Sequence, residues 1–130
     1  MGPTETRALV LDAGALIAIE RGRRSVLALL AVAAHAEVDV VVPAGVVGQV
    51  WRDGARQSPI ARVIRAKGTT VQPLDRVEAE AAGALCGVTG TADVIDASVV
   101  LAARRLGALV LTSDPEDIRR LDAHLDIEVV

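Results

Sequence analysis

Leu9-Val10-Leu11-Asp12-Ala13-Gly14-Ala15-Leu16 is the stretch that decides the fold: a short, uninterrupted apolar run that ends on an acid and passes at once into a helical pattern. The run Ala8–Leu11 is apolar at every position rather than at alternate ones, which fits a strand covered on both faces, as in a parallel sheet. Four further short, β-rich runs follow, at Val38–Val42, Thr70–Gln72, Ala108–Leu111 and Ile127–Val130. Longer helical patterns separate them. This alternation predicts an α/β fold: a three-layer α/β/α sandwich around a central, mostly parallel sheet of about five strands, forming one domain over 1–130.

The helical segments carry their own start and stop signals. Gly14–Glu20 and Ser25–Ala36 read as one helical region broken at Gly22. Pro43 suits the first turn of a helix running to about Asp53, and Ser58-Pro59 opens another that ends near Lys67-Gly68. Asp75 with Glu78 three residues later has the capping-box pattern, for a helix to about Leu85. Thr91 is placed to cap the next helix, which ends at Leu106-Gly107, and Ser113 or Asp114 to cap the last, which begins with Pro115.

Composition narrows the possible functions. The chain has 130 residues, is 52% hydrophobic and carries a formal net charge of −3, which suits one packed domain and excludes disorder. It contains one Trp, Trp51, and no Phe or Tyr. That excludes nucleic-acid readers that stack bases on aromatic platforms. The acidic balance argues against holding nucleic acid by bulk positive charge, although it permits a local basic patch. A single cysteine, Cys86, excludes an internal disulfide and a Cys-ligated zinc site and fits a reducing cytoplasm. The longest apolar stretch, Val26–Ala34, is well short of the ~20 residues that cross a bilayer, so no membrane association is expected.

In a parallel sheet, sites form at the carboxyl ends of the strands. Asp12 follows the first run and Asp114 the fourth, so both fall at one edge of the sheet. Taken singly, each is equally an ordinary cap or turn residue. The segment Asp93-Val94-Ile95-Asp96 adds two acids on one face near a helix N-terminus. Asp96 then leads into Ala97-Ser98-Val99-Val100-Leu101-Ala102-Ala103, an apolar helix that must be buried, with no Lys or Arg between Asp93 and Arg104. A hard cation with oxygen ligands would answer that charge, whereas carboxylates crowded without one repel and resist ionisation. Asp117 is either a further ligand or a solvated acid paired with Arg119 or Arg120, and Glu116 is expected to face solvent.

These residues resemble a PIN domain, and more closely the toxin component of VapBC-type bacterial toxin–antitoxin pairs. The resemblance rests on the Leu9–Leu16 stretch, on Val42–Arg52, on Asp93-Val94-Ile95-Asp96-Ala97 and on Leu111–Asp117, in family order and spacing over essentially the whole chain. It implies a Mg2+- or Mn2+-dependent endoribonuclease in the cytoplasm, with metal held by Asp12, Asp96 and Asp114, and with Asp93 and Asp117 contributing. It implies hydrolysis of RNA phosphodiesters by a metal-activated water. It also implies a homodimer and a cognate antitoxin protein that threads a segment into the active-site groove. One position departs: the family's Glu is here Gln49. An amide retains an oxygen that can orient a water but carries no charge. The departure leaves three readings open: a weakened metal site, a site in which Asp93 supplies the missing charge, and a non-catalytic PIN-like binding module. A phosphatase or receiver-like acidic site fits less well, since no second Asp follows Asp12 by two residues and no Lys follows a late strand. A dinucleotide fold lacks its glycine-rich loop.

Arg21, Arg23, Arg24 and Arg52 are the candidates for holding an RNA backbone, against a bland reading as solvated surface arginines. Trp51 is expected to pack against the Ile60–Ile64 segment. Ser98, Thr112 and Ser113 lie near the acids, as hydrogen-bond partners or simple packing. His35 and His124 fall late in helical patterns, and Cys86 is expected to fill the core. Neutralising Arg21, Arg23 and Arg24 together is expected to weaken RNA binding or cleavage without unfolding the protein. Filter binding beside a melting curve checks this, and unchanged binding removes the three from the substrate surface.

Overall fold

A computed structural model describes residues 8–130, so residues 1–7 of the expected domain lie outside the described part. The five expected strands are present: β1 (Ala8–Leu11), β2 (Asp39–Pro43), β3 (Thr69–Gln72), β4 (Leu109–Thr112) and β5 (Ile127–Val129). They form one sheet in the order β3-β2-β1-β4-β5, and every neighbouring pair is parallel. β1 is buried at all four positions, which accounts for its continuous apolarity.

Among the described residues, seven helices cover the sheet: α1 (Ala13–Glu20), α2 (Arg24–His35), α3 (Ala44–Val50), α4 (Ser58–Ile64), α5 (Arg76–Thr89), α6 (Val94–Leu106) and α7 (Pro115–Leu121). α6 packs on β1, β2 and β4 and carries α5 and α7 beside it. α1 packs on β1 and β4, α2 on β2, and α4 on β3 and α1, while α3 touches both α1 and α6. The core is built from small aliphatics, with Leu11, Leu16, Ile19, Ile60, Leu111 and Ile118 the largest side chains fully enclosed. Cys86 is buried among them, as expected.

Several boundaries differ from expectation, each for a local reason. Pro43 ends β2 rather than opening α3, and α3 stops at Val50 instead of near Asp53. The cause is Gln57, a buried amide that sequence alone did not single out. Its Nε2 donates to the Val50 carbonyl at 2.8 Å, and its Oε1 accepts from the Arg52 and Asp53 amides at 2.8 and 3.1 Å. One side chain thus satisfies three backbone groups that a continued helix would have used. α5 runs past Leu85 to Thr89 and ends where Gly90 turns left-handed at φ +69°. Asp75 caps α5 through the Glu78 amide, but the Glu78 carboxylate pairs with Arg105 on α6 instead of completing the box. α6 is capped by Asp93, not Thr91. α7 ends at Leu121, so His124 lies beyond any helix.

Replacing Gln57 by Ala strands three backbone groups and is expected to destabilise the fold by about 2–4 kcal/mol. Ser98 only returns a hydrogen bond to the Ile95 carbonyl within its own helix. Ser98→Ala is therefore expected to cost less than about 1 kcal/mol. Urea denaturation of both variants compares them directly.

Candidate active site

The order β3-β2-β1-β4-β5 reverses direction at β1: the chain steps outward to β2 and β3, then returns to the other side for β4 and β5. At such a switch point the loops leaving β1 and β4 part to opposite faces and open a crevice at the carboxyl edge. Asp12 leaves β1 and Asp114 leaves β4. The register pairs Leu11 with Leu111, and the Asp12 amide donates to the Leu111 carbonyl, so the two acids flank the crevice.

Asp12 is 5% exposed and caps α1, accepting from the Ala15 amide at 2.9 Å. Burial pushes its carboxyl above the ordinary Asp range, and Asp114 pushes in the same direction; Thr112 and the helix amides oppose them. Thr112 is fully buried, and its hydroxyl accepts the Asp114 amide at 2.8 Å. It therefore ties the two acidic loops together. Asp114 starts α7 without a side-chain capping bond, which leaves its carboxylate uncommitted.

α6 brings the third acid from above the sheet. The Asp93 carboxylate caps it by accepting from the Asp96 amide at 2.9 Å, so Asp93 stands just outside the helix and not on its face. Asp96 is pushed up to about 7, by burial first and then by Asp93, Asp117 and Asp12. Asp117 faces Arg120 across α7 at 3.6 Å, so the solvated pairing exists while its charge still reaches Asp96. Glu116 pairs with Arg119 and stays exposed, as expected.

The five Asp residues thus belong to one electrostatic neighbourhood. All their donor atoms are carboxylate oxygens, the type that Mg2+ and Mn2+ take. Among the described residues, no three acidic, His or Cys side chains stand close enough to form a finished ligand shell. The donor chemistry fits a hard cation, and binding one requires these side chains to draw inward.

Gln49 is exposed on α3, which follows β2 to the same edge. Arg52 folds back on α3, donating to the Gly48 and Trp51 carbonyls at 3.1 and 2.7 Å. Trp51 is half-buried, covering Gly54 on one side with the Arg65 guanidinium 5.7 Å from its ring centre. Arg21, Arg23 and Arg24 are exposed at the α1–α2 turn, and no described acid lies within ion-pair distance of them. They sit at the far end of α1, roughly 12 Å along the helix from its Asp12 cap. Gly14 is a second residue that sequence reading passed over. A Cβ there would fall on the Ser113 hydroxyl and 3.1 Å from the Ser113 nitrogen, so only glycine lets the first turn of α1 approach the β4–α7 loop.

The sign of the pH dependence follows from Asp96. Its folded pKa, about 7, exceeds the ordinary Asp value of 3.8, so the folded state holds the proton more tightly. Stability is then fully present at low pH and is lost as pH rises through about 7. In EDTA, the melting temperature is expected to fall between pH 5 and 8. Asp96→Asn should flatten that fall and, at pH 8, stabilise the protein by about 1–3 kcal/mol. Added Mg2+ should restore the wild-type protein alone. Scanning calorimetry across the pH range checks all three.

No family model matches the chain, and no curated protein sequence matches it. Solved structures do share its fold. A chain in the crystal structure of VapBC2 from Rickettsia felis, bound to a DNA fragment from their promoter, superposes with a TM-score of 0.68 at 15% identity, covering 95% of this chain and 98% of that one. A chain of FitAB bound to an IR36 DNA fragment gives 0.61 at 15% identity, over 93% and 94% of the two chains. FitAcB from Neisseria gonorrhoeae gives 0.58 at 16% identity, over 92% and 95%. The expected three-layer fold is thereby matched end to end.

Proposed function

We propose that this protein is a divalent-cation-dependent endoribonuclease that acts as the toxin of a toxin–antitoxin pair. The observation that carries the proposal is the convergence of Asp12 and Asp114 at the β1/β4 switch point with the α6 N-terminus that bears Asp96, whose carboxyl is raised to about 7 by burial first and then by Asp93, Asp117 and Asp12. Without a cation such a site repels a phosphodiester. Asp12, Asp96 and Asp114 would hold Mg2+ or Mn2+, with Asp93 and Asp117 at the margin; the bound ion would offset part of the local negative charge and supply Lewis acidity and a more acidic water.

The chain's own residues do the positioning. Thr112 fixes the Asp114 loop beside Asp12, and the Asp93 cap holds the Asp96 backbone at the mouth of the crevice. Gln49, where the resembled family has Glu, offers an amide to orient water without adding charge. A protein partner is supported by the fold-sharing VapBC2 and FitAB structures and by α2, which packs on α1 and β2 and leaves Leu27 42% and Val32 66% exposed. An apolar surface of that kind suits burial by an antitoxin.

Purified protein free of any antitoxin is expected to cut RNA in Mg2+ or Mn2+ and to stop in EDTA. Asp12→Asn and Asp96→Asn should each lower the rate by about 100-fold or more. Gln49→Glu should lower the Mg2+ concentration needed for half-maximal rate by about 10-fold. If well-folded protein binds RNA but cuts none with either cation, the non-catalytic binding module replaces the nuclease.

A further inference from the structure

A recess of about 480 Å3 lies between the α5–α6 turn and α7 and opens onto the acid cluster. Asp93, Asp96 and Asp117 form its wall toward the cluster, and Thr89, Thr91 and Arg120 complete its polar lining. Its size is in the range of sites that enclose small ligands, about 300–1,000 Å3.

The hydrogen bonding within the recess fixes what it can recognise. Thr89 Oγ1 donates to the Leu85 carbonyl at 2.8 Å and lies 3.1 Å from Thr91 Oγ1. A hydroxyl has one proton, and that of Thr89 is committed to its helix. Either hydroxyl can donate in the Thr89–Thr91 contact; with the Thr89 proton on the Leu85 carbonyl, Thr91 donates to Thr89 and its own oxygen presents lone pairs to the recess. Gly90, left-handed between them, holds both threonines on the turn. Arg120 is the recess's one cationic group; its guanidinium spans 3.6 Å to Asp117 and is 72% exposed, with N–H donors to spare. An acceptor-rich pocket with one guanidinium suits a nucleotide: ribose hydroxyls and base N–H groups for the oxygens, a phosphate for the arginine fork.

Resting on the nuclease reading above, we propose that this recess is a nucleotide subsite beside the scissile phosphate. Thr91 accepts from the ribose or base of the flanking nucleotide and determines specificity there, and Arg120 holds that nucleotide's outer phosphate.

Wild-type, Thr91→Val, Thr91→Ser and Arg120→Gln proteins would be given a randomised RNA oligonucleotide in Mn2+ and the cut ends sequenced, with kcat and KM measured on the preferred sequence. Thr91→Val should change base preference at one position flanking the cut by about 5-fold, and Thr91→Ser should retain the wild-type pattern. Arg120→Gln should raise KM by about 10-fold with little change in kcat. If cleavage is intact but Thr91→Val leaves the pattern unchanged, or lowers all sites equally, the subsite is overturned and the nuclease stands. An unchanged KM in Arg120→Gln likewise overturns its phosphate role. If the wild type cuts no RNA, both proposals fall.

Discussion

Repulsion between carboxylates at one edge of a parallel sheet is the constraint around which this molecule is arranged. An all-parallel sheet sends every strand toward the same edge, so each loop that follows a strand begins there, and each following helix begins there as well. The acids stand where helix N-termini converge, and backbone amides offset part of their charge. Asp12 takes the Ala15 amide and Asp93 the Asp96 amide, while Thr112 holds Asp114 by its own amide. The offset is incomplete. Burial and the surrounding acids still push the Asp96 carboxyl up to about 7.

The opposing demand is close packing, met with almost no aromatic side chains. Aliphatic side chains fill the space between sheet and helices, and where loops must come nearer still the chain uses glycine, as at Gly14 against Ser113 and Gly45 against Ile95. Both contacts lie beside the acids. Trp51, the single large ring, is kept out of the centre and stiffens the loop after α3, between Gly54 and Arg65. The lack of aromatics therefore does more than exclude base-stacking folds: any ligand at this edge is engaged by polar and charged groups rather than by ring stacking.

Periodicity revealed the scaffold well because both faces of the sheet are covered. β1 coincides with its apolar run, and placing Asp12 and Asp114 at one edge followed from strand polarity alone. What pattern reading missed were effects carried by single side chains across several residues. Gln57 ends α3 by hydrogen bonding backwards to Val50, and no local signal near Val50 announces that. Asp93 outcompetes Thr91 as the cap of α6 because a carboxylate at that position reaches the Asp96 amide. Glu78 left its expected box because a bidentate contact to Arg105, 27 residues away, was the stronger alternative. The recess lined by Thr91 and Arg120 joins the α5–α6 turn to α7, segments far apart in sequence, so neither stretch carries a motif for it.

The pairing of β1 with β4 also fixes when the site can exist. Asp12 and Thr112 lie side by side in space, yet one hundred residues of chain separate them. During synthesis the early acid emerges long before its neighbours, and the crevice cannot form until β4 has left the ribosome and inserted beside β1. A growing chain is thus chemically silent for most of its translation. Topology itself supplies the delay between the appearance of the first acid and the assembly of the site.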